Sequence, residues 1–175
     1  MNNDSTLITD EERVGFYERD HYYLSNFSAF SVSWRGVLWT TSEHAYQAAK
    51  FPPDSVIYDA IRLARSAHDA FKIAEANAKL ATNVNWGRDG TTFKLRTMKE
   101  ILRAKADQHE YVRRKLLATG DRELVEDSWR DAFWGWGEKQ DGDNALGKLW
   151  MEVRAELRGI AKNADSKEAR QDVKP

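Results

Sequence analysis

The chain has 175 residues, within the usual span of one domain and long enough for a sizeable single core. Apolar residues make up 41% and aromatics 11%, a globular composition, and 27 basic residues nearly balance 28 acidic ones at a formal net charge of −1, so no global field steers the molecule to nucleic acid or an anionic membrane. The absence of cysteine removes disulfides, thiolate metal sites and thiol nucleophiles. No apolar run approaches the ~20 residues that span a bilayer, and the polar, acidic N-terminus lacks the layout of a secretory signal, so the expected address is the cytoplasm with no membrane partner.

Residues 1–12 read as a flexible leader, 13–161 as one domain without internal repeats, and 162–175 as a charged, Pro-ended flexible tail. Phe30, Val32 and Trp34 alternate with Ser31 and Ser33 before Gly36, which predicts a short hairpin. Helical patterning then takes over. Thr40 to Glu43 has capping-box spacing and opens a helix that runs to Phe51, where Pro52-Pro53 stops it. Residues 54–64 and 67–80 predict a helical pair, and Trp86-Gly87-Arg88-Asp89-Gly90 a loop. The following helix turns Phe93, Met98, Ile101 and Leu102 inward. Its Arg96, Lys99 and Arg103 share one face, read as a solvated charged face with phosphate contact as the alternative. Asp107 to Glu110 repeats the capping-box spacing, and the helix it opens ends after Leu116-Leu117 at Gly120. Asp131 to Gly137 is too rich in Gly and Trp for a regular helix. A final helix from about Asn144 carries the apolar stripe Leu146, Leu149, Trp150, Val153 and Leu157. The expected fold class is mainly α with a small N-terminal β element (α+β), in a single compact helical domain.

The segment Glu43-His44-Ala45-Tyr46-Gln47-Ala48-Ala49-Lys50 carries the most chemistry. Seven helical steps bring Lys50 back to within about 20° of Glu43, two turns and ~10 Å along the axis, with Tyr46 and Gln47 between them on the same face. A carboxylate, a phenol, an amide and an amine thus project together with room for a sugar ring. A plainer reading also fits: Glu43 as the capping-box partner of Thr40, and Lys50 as the complement of the helix C-terminus. Asp131 precedes FWGWG, where glycines let backbone approach a ligand and Trp134 offers a stacking surface; the alternative is a buried aromatic corner. Asn144 and Gly147 open the last helix, where free N–H groups suit a phosphate, or serve as an ordinary N-cap. His21, His44, His68 and His109 show no metal-ligand spacing, and there is no HExxH, GxGxxG or GxxxxGK[ST] motif, so no metal or cofactor is expected.

LSNF (24–27), EHAYQAAKF (43–51), LLATGDRELVEDS (116–128), D-x-FWG-x-G (131–137) and DNALGKLWMEVR (143–154), in that order and spacing, resemble the NADAR family over roughly residues 16–158. The resemblance implies a mainly helical fold and an N-glycosyl hydrolase, which the lack of cysteine and of metal-spaced histidines makes metal-independent by expectation. Two activities occur in the family: removal of ADP-ribose from guanine bases, including reversal of a DNA-modifying toxin, and hydrolysis of phosphoribosyl intermediates of riboflavin synthesis. It further implies Glu43, Lys50 and Asp131 as catalytic residues, with Asn26, Trp86, Trp134, Gly135, Asn144 and Gly147 in or around the pocket; the helix reading adds Tyr46 and Gln47. One departure stands out. Where relatives usually carry an aromatic after the lysine near the end of the long helix, this chain has Lys105-Ala106.

Cutting a ribosyl–nitrogen bond requires stabilisation of positive charge at the anomeric carbon and a proton for the departing nitrogen, and carboxylates can supply both. A desolvated lysine can also attack the anomeric carbon of an opened sugar and form a Schiff base. The expected roles are Lys50 as nucleophile or acid/base and Glu43 and Asp131 as its proton-transfer and charge-stabilising partners. The expected function is removal of ADP-ribose from guanine in nucleic acid, antitoxin-like or in repair, with a toxin ADP-ribosyltransferase as functional partner. Hydrolysis of riboflavin intermediates is the alternative. A non-catalytic ADP-ribose or NAD binding module is a third reading, which keeps the Trp, Gly and Asn pocket but has no need of Glu43 and Lys50 together.

Overall fold

The computed structural model describes residues 9–18, 20–81 and 90–171. After β1 (Arg13–Phe16) the chain forms the expected hairpin, β2 (Val32–Trp34) and β3 (Val37–Trp39). Arg35 and Gly36 between them take φ of 51° and 78°. This left-handed pair is what a two-residue hairpin turn needs to match the twist of its strands, and it aligns Val32 with Trp39 and Trp34 with Val37.

Helix α1 (Ser42–Ala48) starts one residue later than the capping-box spacing implies. Thr41, not Thr40, is the cap: its Oγ1 accepts from the His44 backbone N–H at 3.3 Å and pairs with the His44 ring nitrogen at 2.8 Å. His44 therefore stands where the box would put Glu43, and Glu43 has no part in the cap. Thr41→Ala is expected to cost about 1 kcal/mol in urea unfolding, the usual worth of such a cap, while Thr40→Ala stays within about 0.5 kcal/mol of wild type. The reverse order would return Glu43 to the capping box.

Ser55 caps α2 (Val56–Arg62) after the two prolines, and Ser66 caps α3 (Ala67–Ala76). The second expected capping box does not form. Helix α4 (Gly90–Gln108) runs straight through Asp107, whose carboxylate pairs with Arg103 at 2.8 Å, and His109 gives α5 (Glu110–Ala118) no side-chain cap because its ring meets the Ser31 carbonyl. Gly120, at φ 65°, ends α5 as expected.

A second β element was not legible in the sequence. β4 (Glu123–Glu126) pairs in parallel with β1, matching Arg13 with Glu123 and Phe16 with Glu126. Helix α6 (Ala145–Gln171) closes the fold and runs as far as Gln171, into the stretch read as a tail. Its stripe Leu146, Leu149, Trp150, Val153 and Leu157 is buried, and the Trp150 indole donates to the Leu24 carbonyl at 2.8 Å. The basic face of α4 meets acids of α6: Lys99 pairs with Glu152 and Glu156, and Arg103 with Glu156. Lys105 is fully buried without an ion pair among the described residues. Its ammonium donates to Ser25 O at 2.9 Å and Ser28 Oγ at 2.7 Å and lies over the Phe30 and Trp150 rings, while burial pushes its pKa down to about 7. These bonds fix the loop that carries Asn26. Ala106, beside it, is a fully buried core position.

Candidate active site

Every residue of α1 from Ser42 to Ala48 is buried. Glu43 is 6% exposed and Gln47 3%. The amide of Gln47 donates to Glu43 Oε1 at 2.6 Å, the i,i+4 contact of one helix face, and the Glu43 backbone N–H donates to the Asn26 carbonyl at 3.1 Å, which ties the LSNF loop to the helix. The helix stops at Ala48, short of the expected Phe51, since the residue before a proline is driven out of helical conformation. Lys50 lies in the turn beyond. Its ammonium is 5.2 Å from the Tyr46 ring centroid and acts electrostatically on Glu43, so the predicted grouping of Glu43, Tyr46, Gln47 and Lys50 persists.

Asp131 comes to this group from the loop after β4. Its Oδ1 accepts the N–H groups of Phe133 at 2.9 Å and Trp134 at 2.8 Å, and this turn sets the half-buried Trp134 edge-on to Tyr46, with ring centroids 5.4 Å apart and planes at 88°. The Asp131 charge raises the pKa values of Glu43, Tyr46 and Glu126 alike, so it stands among all three. Lys94 of α4 approaches from the other side, 5.8 Å from the Phe133 ring centroid.

Burial pushes the Glu43 carboxyl up to about 6, against the lowering effects of the Gln47 hydrogen bond and the Lys50 ammonium. Burial pushes Lys50 down; Glu43 opposes this and Lys94 reinforces it. The acid is less acidic and the amine more readily neutral than in water, which narrows the gap a proton must cross between them.

Sequence reasoning missed Glu126, the last residue of β4. Its Oε2 is fully buried with no hydrogen-bond partner among the described residues, although part of the residue reaches solvent. The available signal was an acid closing the apolar pair Leu124-Val125 within a motif of the family resemblance.

Asn144 and Gly147 do not offer the expected phosphate cradle. The Asn144 side chain donates to Leu124 O at 2.9 Å and accepts from the Glu126 N–H at 3.0 Å, which staples α6 to β4. The N–H groups of Asn144, Ala145 and Leu146 donate to the carbonyls of Gly135, Phe133 and Trp134 at 3.1, 3.0 and 3.0 Å, so they are not free for an anion. A Cβ on Gly147 would fall onto the Leu124 carbonyl and the Asn144 amide, and one on Gly135 would meet Glu126 O at 2.8 Å and Ser128 Cβ at 2.9 Å. Both glycines therefore serve close packing. These contacts fix Trp134 and Glu126 in place. Asn26 remains at the site, with its Oδ1 buried and unpartnered. Trp86 lies outside the described residues. His44 is committed to Thr41 and to the Ala64 carbonyl, and among the described residues no cluster of three or more His, Asp or Glu could hold a metal ion. An open cavity of about 470 Å³ lies elsewhere, against Tyr22, Tyr23, Phe30 and Tyr111, and includes none of these groups.

Residues 15–158 match the NADAR domain. The chain belongs to the NADAR family. This NADAR domain is 38% identical over 152 residues to N-glycosidase YbiA of Escherichia coli, across 86% of this chain and 91% of YbiA. It is 36% identical over 138 residues to an N-glycosidase of Nostoc punctiforme, across 78% of this chain and 85% of the relative. A riboflavin biosynthesis protein of Vibrio vulnificus is 39% identical over 150 residues, and there the NADAR chain spans only 39% of the relative's length. The NMR structure of E. coli YbiA shares the fold with a TM-score of 0.75 at 35% identity, over 89% of each chain. The mainly helical architecture with a small β element is thus that of the family.

Proposed function

We propose that this protein is an N-glycosidase that hydrolyses a ribosyl N-glycosidic bond without a metal ion. The observation that carries the reading is the convergence, in a buried site, of an acid raised toward neutrality, Glu43, a lysine whose ammonium is disfavoured by burial, Lys50, and a second carboxylate, Asp131. Carboxylates stabilise the positive charge that develops at the anomeric carbon, and Lys50 acts as nucleophile or as acid/base. A module that only bound ADP-ribose or NAD would have no use for this pairing. The glycosidase names of the relatives point the same way.

Of the two family activities, the sequence reading puts ADP-ribosyl guanine first. Two observations favour the phosphoribosyl intermediates of riboflavin synthesis instead. One is the riboflavin biosynthesis protein among the relatives. The other is that Lys99 and Arg103, two of the three cations on the α4 face read for phosphate contact, are engaged by acids of their own chain. Incubating the protein separately with a phosphoribosyl intermediate and with DNA bearing ADP-ribosylated guanine, and following release of the free base or amine, decides between them. Cleavage of the DNA substrate alone would restore the first reading, with an ADP-ribosyltransferase toxin as the functional partner that makes the substrate. Cleavage of neither would sink the N-glycosidase assignment.

The aromatic pair gives a further check. Trp134→Ala is expected to weaken substrate binding by about 1–3 kcal/mol if the indole stacks on the base, the usual range for such contacts. Were Trp134 purely core, its truncation would cost stability of about 3–5 kcal/mol instead. Titrating the substrate and melting the same variant separates these outcomes.

A further inference from the structure

Three carboxyl groups meet at the site, and two of them have structural work. Glu43 Oε1 holds the Gln47 amide, and Asp131 Oδ1 holds two backbone N–H groups of the aromatic loop. Glu126 is different. Its backbone is fixed on both sides, the N–H by Asn144 Oδ1 and the carbonyl by the Trp136 N–H at 3.0 Å, so α6 and the aromatic loop together set where its side chain goes. Yet Oε2 is buried with no partner. A second buried polar atom on the Glu43 side of the site is also unmatched among the described residues: Oε1 of Gln47, on the residue that holds Glu43. Buried oxygens without partners are costly and rare, and two of them beside one carboxylate mark a place completed by a ligand's donors and acceptors.

We propose that Glu126 is the general acid of this site, giving its proton to the departing nitrogen as the bond from the anomeric carbon breaks. The proposal rests on the N-glycosidase reading. The electron pair of the carbon–nitrogen bond goes to the nitrogen, which takes the Glu126 proton and leaves a Glu126 carboxylate. The carbon gains a bond from water or from the Lys50 amine, and the proton that nucleophile loses passes to the Glu43 carboxylate. Where Lys50 attacks first, a water then cleaves the lysine–sugar bond, releasing the sugar and restoring the amine. Return of a proton from Glu43 to Glu126 through solvent restores both carboxyl groups, and no reactant besides water is needed.

The electrostatics suit the role. Burial first, then the charges of Asp131 on the loop and Glu43 on α1, push the Glu126 carboxyl up to about 8, with Lys50 and Tyr46 the next titratable groups on the α1 side. Glu126 is then protonated at neutral pH while Glu43 is largely ionised, an acid and a base separated by environment.

The test uses Glu126→Gln and Glu126→Asp in the full chain, with whichever of the two N-glycosides the wild type cleaves. Glu126→Gln is expected to lose kcat by about 100-fold or more with little change in KM, the scale for a lost general acid. Wild-type kcat should fall above pH about 8 and the residual Glu126→Gln rate should not. Glu126→Asp keeps the proton but retracts it, so it should lose less and keep the alkaline fall. A readout independent of activity follows from linkage. The folded protein holds the Glu126 proton through the interval from 4.5 to about 8, where the unfolded chain has released it, so stability from this group falls as pH rises through that interval. Glu126→Gln should flatten that fall in melting temperature. Near-wild-type kcat in Glu126→Gln would overturn the proposal. So would an unchanged alkaline limb, or activity lost only in step with a lowered melting temperature in both variants. A wild type inactive on both substrates would instead remove the N-glycosidase reading on which it rests.

Discussion

Lys50→Ala is expected to reduce turnover by roughly 100- to 10,000-fold or more, the scale for a group that moves a proton or forms a bond in the transition state, while the fold persists. Stability should change little, because the lysine lies beyond the end of α1, where a macrodipole effect is worth ~0.3–1 kcal/mol and its cation–π contact with Tyr46 about 0.5–1 kcal/mol. Lys50→Arg should fail as well. It preserves the charge, but a guanidinium does not release its proton in proteins and cannot act as nucleophile or base. The pH dependence has a definite sign. Burial lowers the Lys50 pKa, so the neutral amine becomes available at lower pH than for a lysine in water, and Glu43 ionises through about 6; the rate should climb on the acid side of neutrality. Borohydride added during turnover should trap an adduct on the peptide containing Lys50 if a Schiff base forms. Without an adduct, Lys50 is reduced to proton transfer or charge stabilisation. Near-wild-type activity of Lys50→Arg would show that positive charge alone matters and move the chemistry onto the carboxylates.

That Lys50 and Glu43 could be paired from the sequence at all is a matter of locality. Both lie in one short segment, so local chain geometry relates them even though the helix ends before Lys50, and the hairpin at Arg35-Gly36 and the α6 stripe were legible for the same reason. Asp131 came from the family resemblance, because nothing local connects it to α1. Thr41 against Thr40 shows the finer limit. Two adjacent threonines carry equal capping chemistry, and only the extended backbone at Thr41 and the buried His44 ring choose between them. The β1–β4 pair escaped because no turn links the two strands: they pair in parallel across most of the domain, and neither carries a local signal of its partner. Glu126 escaped with it. An acid at the end of a short strand reads as solvent-facing until α1 and the Asp131 loop are known to close over it.

Asn144 and Gly147 were legible as residues that matter, but for two possible reasons, a phosphate cradle or close packing, and Gly147→Ala separates them. The methyl group would fall onto the Leu124 carbonyl and the Asn144 side chain, a strand backbone and a doubly bonded amide, neither of which can yield cheaply. Helix α6 must then move off β4, breaking the Asn144 staple and releasing the Glu126 N–H. Overpacking of this kind costs typically about 1–3 kcal/mol, and more where the obstacle is backbone, so the expected loss is at least about 3 kcal/mol. Urea unfolding and melting should register it directly, with activity falling because Glu126 and Trp134 lose their fixed positions. A phosphate-binding role predicts the opposite pattern, a raised KM at wild-type stability. That result would mean that the first turn of α6 faces substrate after all, and that the carbonyls of 133–135 give up its N–H groups when the phosphate arrives.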